Sequence, residues 1–78
     1  MKKHILFYKP TCPFCAKVLD FASSNSIEFD LQDITSAGAI AEELIRVGGK
    51  RQVPCLLVDG MGLYESDDII NWLKDHDA

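Results

Sequence analysis

His4-Ile5-Leu6-Phe7-Tyr8 is a continuous apolar run of strand length, and a strand that is apolar on both faces has to be covered on both faces. That demand decides much about a chain of 78 residues. The run belongs inside a sheet, and the remaining chain must supply helices for either side. Residues 1–78 are room for a single domain. A domain this small buries only about 60–65% of its unfolded surface, so its core is thin. Apolar residues make up 47% of the chain, enough for such a core and too many for a disordered chain.

The periodicity changes at Pro13. Pro10 and Pro13 bracket a loop, and from there Phe14, Val18, Phe21 and Ala22 fall on one helical face, with Leu19 at its edge. Pro13 suits the first helical position, whose N–H has no helical partner, so Cys12 is the expected N-cap. Ser23-Ser24-Asn25-Ser26 ends the helix. Residues 27–31 alternate with period two and read as a strand. Ser36 is placed to cap a second helix, with Ile40, Ala41, Leu44, Ile45 and Val47 on its apolar side and Gly48-Gly49 as its stop. Residues 54–58 read as a third strand, Asp59-Gly60 as a hairpin turn, and residues 61–64 as the returning strand. Ser66 then caps a last helix with Asp67 and Asp68 in its first turn, Ile69, Ile70, Trp72 and Leu73 on its buried side, and Lys74 near its end. The order is β-α-β-α-β-β-α: an α/β fold with a four-stranded mixed sheet and helices on both faces. The first two strands, joined through a helix, are expected to be parallel. By periodicity Phe14, Tyr8, Tyr64 and Trp72 are core aromatics.

Charge and cysteine content narrow the function. The net charge of −4 argues against nucleic acid, which needs an excess of Lys and Arg. The longest early apolar run is far too short for a signal h-region or a membrane span. The expected location is therefore the cytoplasm, where thiols are kept reduced, with no membrane partner and a monomer as the default state. The cations are clustered: Lys2 and Lys3 at the start, Lys9 and Lys17 around the cysteine pair, and Arg46, Lys50 and Arg51 mid-chain. Three cysteines are an odd set, unlike a disulfide-stapled scaffold. No metal is expected, because a closed zinc site wants four ligands. Here there is one CxxC, a lone Cys55, and His4 and His76 at the chain ends.

The chemistry belongs to Cys12-Pro13-Phe14-Cys15. At a helix start the free N–H groups and the positive end of the dipole favour a thiolate over a thiol, and such sites bring a cysteine pKa from ~8.5 to between ~3.5 and ~7.5. Lys9 adds positive charge nearby. At a pKa of ~5 the thiolate fraction at neutral pH rises ~30-fold. Intrinsic nucleophilicity falls by a similar factor, so the main gain is a better leaving group. Cys15, within the first turn, can close a disulfide onto Cys12.

These residues resemble a glutaredoxin over nearly the whole chain. The resemblance rests on Lys9-Pro10-Thr11-Cys12-Pro13-Phe14-Cys15, close to the family's dithiol motif with Phe14 where Tyr is commoner; on Arg51-Gln52-Val53-Pro54, similar to its Val-Pro segment with a cis proline; and on Glu65-Ser66-Asp67-Asp68-Ile69 at the last helix. It implies a thioredoxin fold, glutathione as co-substrate, and glutathionylated or disulfide-bonded proteins as substrates. Lys9 and Arg51, with Lys50 or Gln52 beside them, would meet the glycyl carboxylate. Val53, before the cis Pro54, would offer its backbone to the cysteinyl unit. Ser66 and the free N–H groups of the last helix would hold the γ-glutamyl carboxylate, and Asp67 its ammonium. Phe14 or Tyr8 would line the groove, and Glu65 and Cys55 stand beside the site as further candidates. Cys55 is either a small apolar strand residue or a third redox-active thiol.

The resemblance has departures. Many glutaredoxins carry Gly-Gly before the last helix, where this chain has Gly62-Leu63-Tyr64-Glu65-Ser66. The Glu65-Ser66 pair looks more like the N-terminal domain of glutathione transferases, whose helical second domain is missing here. Two alternatives stay open. One is a disulfide reductase of the same fold fed by thioredoxin reductase, against which the basic cluster and Ser66-Asp67 argue. The other is a glutathione-ligated iron–sulfur carrier, against which Pro13 and Cys15 argue.

Overall fold

The structure is a computed structural model that describes residues 4–76; Lys2 and Lys3 lie outside the described residues. Strand β1 (His4–Tyr8) is central, as its apolar run demands. It pairs in parallel with β2 (Phe29–Asp33), from His4 opposite Phe29 to Tyr8 opposite Asp33. On its other side it runs antiparallel to β3 (Cys55–Val58), with Leu6 opposite Leu56 and Phe7 opposite Cys55. Strand β4 (Met61–Tyr64) closes the hairpin, giving the sheet order β2-β1-β3-β4. Helix α1 (Pro13–Ser24) links β1 to β2, α2 (Gly38–Gly48) links β2 to β3, and α3 (Ser66–His76) follows β4. The expected order and the mixed four-stranded sheet are both present.

Successive strand residues point to opposite faces, so neighbours in β1 and β3 feed separate cores. Leu6 and Leu56 pack with Val18 of α1 and Ile69 and Leu73 of α3. Phe7 and Cys55 face the other way and pack with Ile34 and with Leu44 of α2. Helices α1 and α3 therefore cover one face and α2 the other. Leu6, Leu44, Leu56, Ile69 and Leu73 are all fully buried, and truncating any one of them to Ala costs about 2–5 kcal/mol.

Several local expectations are corrected. Strand β2 starts at Phe29 rather than at residue 27, because the Ile27 N–H is taken by the Ala22 carbonyl at 2.9 Å to close the end of α1. Ser36 does not cap α2. Its hydroxyl donates to the Asp33 carbonyl at 2.8 Å, inside a turn in which the Asp33 carboxylate accepts from the Thr35 N–H. Ala37 fills the cap position without a side-chain bond. Strand β3 begins at Cys55, since Pro54 has no N–H to give a ladder. Ser66 is the first helical residue rather than the cap: the carbonyl before it, that of Glu65, accepts the Ile69 N–H at 3.0 Å. Phe14 and Ile45, expected in the core, are 63% and 45% exposed. Tyr8, Tyr64 and Trp72 are half-buried.

The hairpin turn is as expected, with Asp59 and Gly60 both at positive φ, the backbone that a tight two-residue turn requires. Behind it α2 reaches β4 through two glycines. A Cβ on Gly62 would lie 2.8 Å from the Gly48 Cα and 2.9 Å from Cys55 Sγ. The Tyr64 ring lies against Gly48, its hydroxyl donates to the Lys50 carbonyl at 2.7 Å, and Lys50 Nζ stands 4.7 Å above the ring. Gly62→Ala is expected to lower the unfolding free energy by about 1–3 kcal/mol through overpacking against backbone that cannot swing aside. Urea denaturation measures this, and the same substitution at exposed Gly38, which has nothing within 4 Å of its added Cβ, supplies the control.

Candidate functional site

The strand register brings the candidate residues to one end of the sheet. Tyr8 ends β1, and the turn after it is held by the Cys12 N–H donating to the Lys9 carbonyl at 3.1 Å. Cys55 starts β3 opposite Phe7, so residues 51–54 arrive beside that turn. Tyr64, opposite Cys55, ends β4 and delivers the start of α3. The three segments that carry the motifs are thus neighbours in space. The Val53–Pro54 peptide is cis, as the resemblance implies.

Cys12 is the N-cap of α1, with Pro13 at the first helical position, as expected. Its sulfur accepts the Cys15 N–H at 3.3 Å, and no acidic residue stands in the first turn of α1 to compensate the dipole. Partial burial works against ionisation, yet the Cys15 thiol, the Cys15 and Phe14 N–H groups and the Lys9 charge outweigh it and hold the Cys12 thiol below its ordinary pKa. Cys15 is the opposite case. It is only 1% exposed. Burial, then its bond to Cys12, pushes its pKa up to about 12. The pair therefore divides into a partly exposed sulfur that gives up its proton more readily than an ordinary thiol and an enclosed one that holds its proton more tightly, both free thiols here. That arrangement suits nucleophilic attack by Cys12 on a disulfide sulfur.

The surroundings are asymmetric. Lys9 and Arg51 are exposed and, among the described residues, form no ion pair. Lys50 is drawn to Tyr64 instead. Gln52 donates to the Glu65 carboxylate at 3.2 Å, tying the loop before Pro54 to the start of α3. Val53 is half-buried, Pro54 is buried, and Ser66 is 7% exposed. Phe14 lies in solvent two residues from Cys12, and Tyr8 is half-buried at the strand end. Glu65 sits at φ 70, a left-handed backbone that glycine adopts without cost.

One partnership was not legible in the sequence. Lys17, on the exposed side of α1, pairs with Asp67 at the start of α3. The two are 50 residues apart, and no local pattern announces a pair at that separation.

Cys55 is fully buried in the α2-side core. Although its backbone is near the cysteine loop, its side chain points to the face of the sheet away from α1. Burial raises its pKa, an effect only partly offset by the neighbouring Tyr64 side chain and the Leu63 backbone. The placement matches an apolar strand residue and turns the thiol away from Cys12. Among the described residues no group of three or more His, Cys, Asp or Glu is arranged to hold a metal, and no helix is long and apolar enough to cross a membrane.

A model of the glutaredoxin family matches residues 5–62. Glutaredoxin 3 of Escherichia coli (strain K12) is 30% identical over 64 residues, covering 82% of this chain and 77% of that protein. Among solved structures, a glutaredoxin from Brucella melitensis superposes with a TM-score of 0.68 at 24% identity, over 99% of this chain and 83% of its own. A glutathione transferase of Bombyx mori superposes with a TM-score of 0.81 at 20% identity, over 97% of this chain and 36% of its own. This chain therefore spans about a third of the transferase and most of the glutaredoxins, and the fold is the thioredoxin fold.

Iodoacetamide at neutral pH is expected to label Cys12 alone in the folded protein and all three cysteines in denaturant. The labelling rate should rise with pH and level off below the ~8.5 of an ordinary thiol, because the folded chain releases the Cys12 proton early. Peptide mass spectrometry reads both results, and rapid labelling of Cys55 in the folded chain would contradict its placement.

Proposed function

The chain belongs to the glutaredoxin family of thiol–disulfide oxidoreductases, and from that premise we propose that it draws its electrons from glutathione, with Cys12 as nucleophile and Cys15 as resolving thiol. The observation that carries this reading is the Cys12 sulfur at the N-terminus of α1, partly exposed and accepting the Cys15 N–H, with its pKa lowered while that of its buried neighbour is raised.

In the deglutathionylation route the Cys12 thiolate attacks the glutathionyl sulfur of a mixed disulfide. The Cys12–glutathione bond forms, the substrate bond breaks, and the substrate leaves as a thiolate that takes a proton from water. A second glutathione thiolate attacks the glutathione sulfur bound to Cys12, which yields oxidised glutathione and restores the Cys12 thiolate. The low pKa of Cys12 serves this second step, where it is the leaving group. In the dithiol route a protein disulfide is attacked first. Cys15 then loses its proton, attacks Cys12 and expels the substrate thiol, and two glutathiones reduce the resulting Cys12–Cys15 disulfide.

For the ligand, Lys9 and Arg51 serve as the counter-charges of the glycyl carboxylate, with Gln52 beside them. Val53 and Pro54 present backbone to the cysteinyl unit, Ser66 and the first turn of α3 meet the γ-glutamyl carboxylate, and Asp67 takes its ammonium. Phe14 and Tyr8 border the groove. The expected setting is a monomer in the cytoplasm acting on glutathionylated proteins, with no metal.

Reduction of a small glutathione mixed disulfide, coupled to glutathione reductase, tests the reading. Cys12→Ser should lose all activity and Cys15→Ser should keep it. An active Cys12→Ser, or a wild-type chain that cannot use glutathione, rejects it.

A further inference from the structure

Asp67 already holds an ammonium. Lys17 Nζ of α1 pairs with Asp67 Oδ1 of α3 across the mouth of the site. Both side chains are largely in solvent, 52% exposed for Lys17 and 76% for Asp67, so the pair is screened and easily exchanged. Lys17 has no other partner among the described residues. The cation that acts on the Cys12 thiol is Lys9, which leaves Lys17 outside the chemistry of sulfur. The start of α3 carries two acids, Asp67 and Asp68, so an approaching zwitterion meets the dipole with its carboxylate and these acids with its ammonium. On the glutathione reading, that ammonium and Lys17 Nζ seek the same carboxylate, that of Asp67.

We propose that Lys17 is an internal competitor for the γ-glutamyl ammonium: the incoming zwitterion must displace it from Asp67, and it thereby sets the affinity for glutathione-bearing substrates without touching the chemical step. This rests on the glutathione reading above. A ligand that lacks the γ-glutamyl unit has no ammonium for Asp67 and no reason to displace the lysine. The device is specific to one end of the ligand.

The experiment compares wild type, Lys17→Gln and Lys17→Arg on two probes, the mixed disulfide of glutathione with 2-mercaptoethanol and, as the cysteinylglycine probe, the corresponding mixed disulfide of N-acetylcysteinylglycine, whose blocked amine leaves no ammonium. Lys17→Gln should lower KM for the glutathione probe by about 1.5- to 5-fold, the range of an exposed ion pair, with kcat unchanged and KM for the cysteinylglycine probe unchanged. Lys17→Arg, which keeps the pair, should behave as wild type. An unchanged or raised KM for the glutathione probe in Lys17→Gln overturns the proposal, as does an equal fall for both probes, which would mark a general charge effect. If wild type itself fails on the glutathione probe, the glutathione reading falls; if wild type succeeds and Lys17→Gln is neutral, only the competitor falls.

Discussion

Leu6 faces Leu56 and Phe7 faces Cys55 across the β1–β3 pair, and this pairing of distant segments fixes the rest. It sends neighbouring side chains into two separate cores, one under α1 and α3, the other under α2. A slip of one residue would exchange the two sets and bury neither correctly. The same register ends β1, starts β3 and ends β4 at one edge of the molecule. The site is therefore a by-product of strand pairing: the loop before α1, the segment before β3 and the start of α3 have nowhere else to meet.

The two helices that share a face treat their N-termini in opposite ways. Helix α3 places two aspartates in its first turn, which compensates its dipole in the ordinary manner. Helix α1 has none, and a proline at its first position removes one donor that would otherwise need a partner. The positive end of α1 is left for the sulfur of Cys12 to neutralise. Sulfur is a weaker cap than a hydroxyl or carboxylate oxygen, so local helix stability is lowered while the thiolate form of Cys12 is favoured.

Element order, sheet composition, the hairpin and the cap at Cys12 were readable because each follows from local period or turn chemistry. The boundaries that moved were decided by partners the sequence does not show. Ile27 is used to close α1 and Ser36 is diverted to Asp33. Phe14 matched the apolar stripe of α1 and yet lies in solvent, because at the first turn that stripe runs past the edge of the core. The candidate site was named segment by segment from motifs. Its internal wiring was not, since Lys17–Asp67 and Gln52–Glu65 join residues of different elements. The direction of Cys55 required the register, which alternation alone leaves undetermined by one residue.

The seclusion of Cys55 bears on how the protein fails. While the sheet holds, the three thiols occupy three distinct situations: one partly exposed with its pKa lowered, one enclosed in the first turn of α1, and one on the far face of the sheet. Heating past the transition erases those distinctions and gives every cysteine the same freedom. In the presence of oxidant the chain then has a choice of three pairings where the native state permits one. Two of them tie strand β3, through Cys55, to the cysteine loop and oppose its return to the sheet. Reducing conditions close that route to thermal damage, and oxidising ones open it.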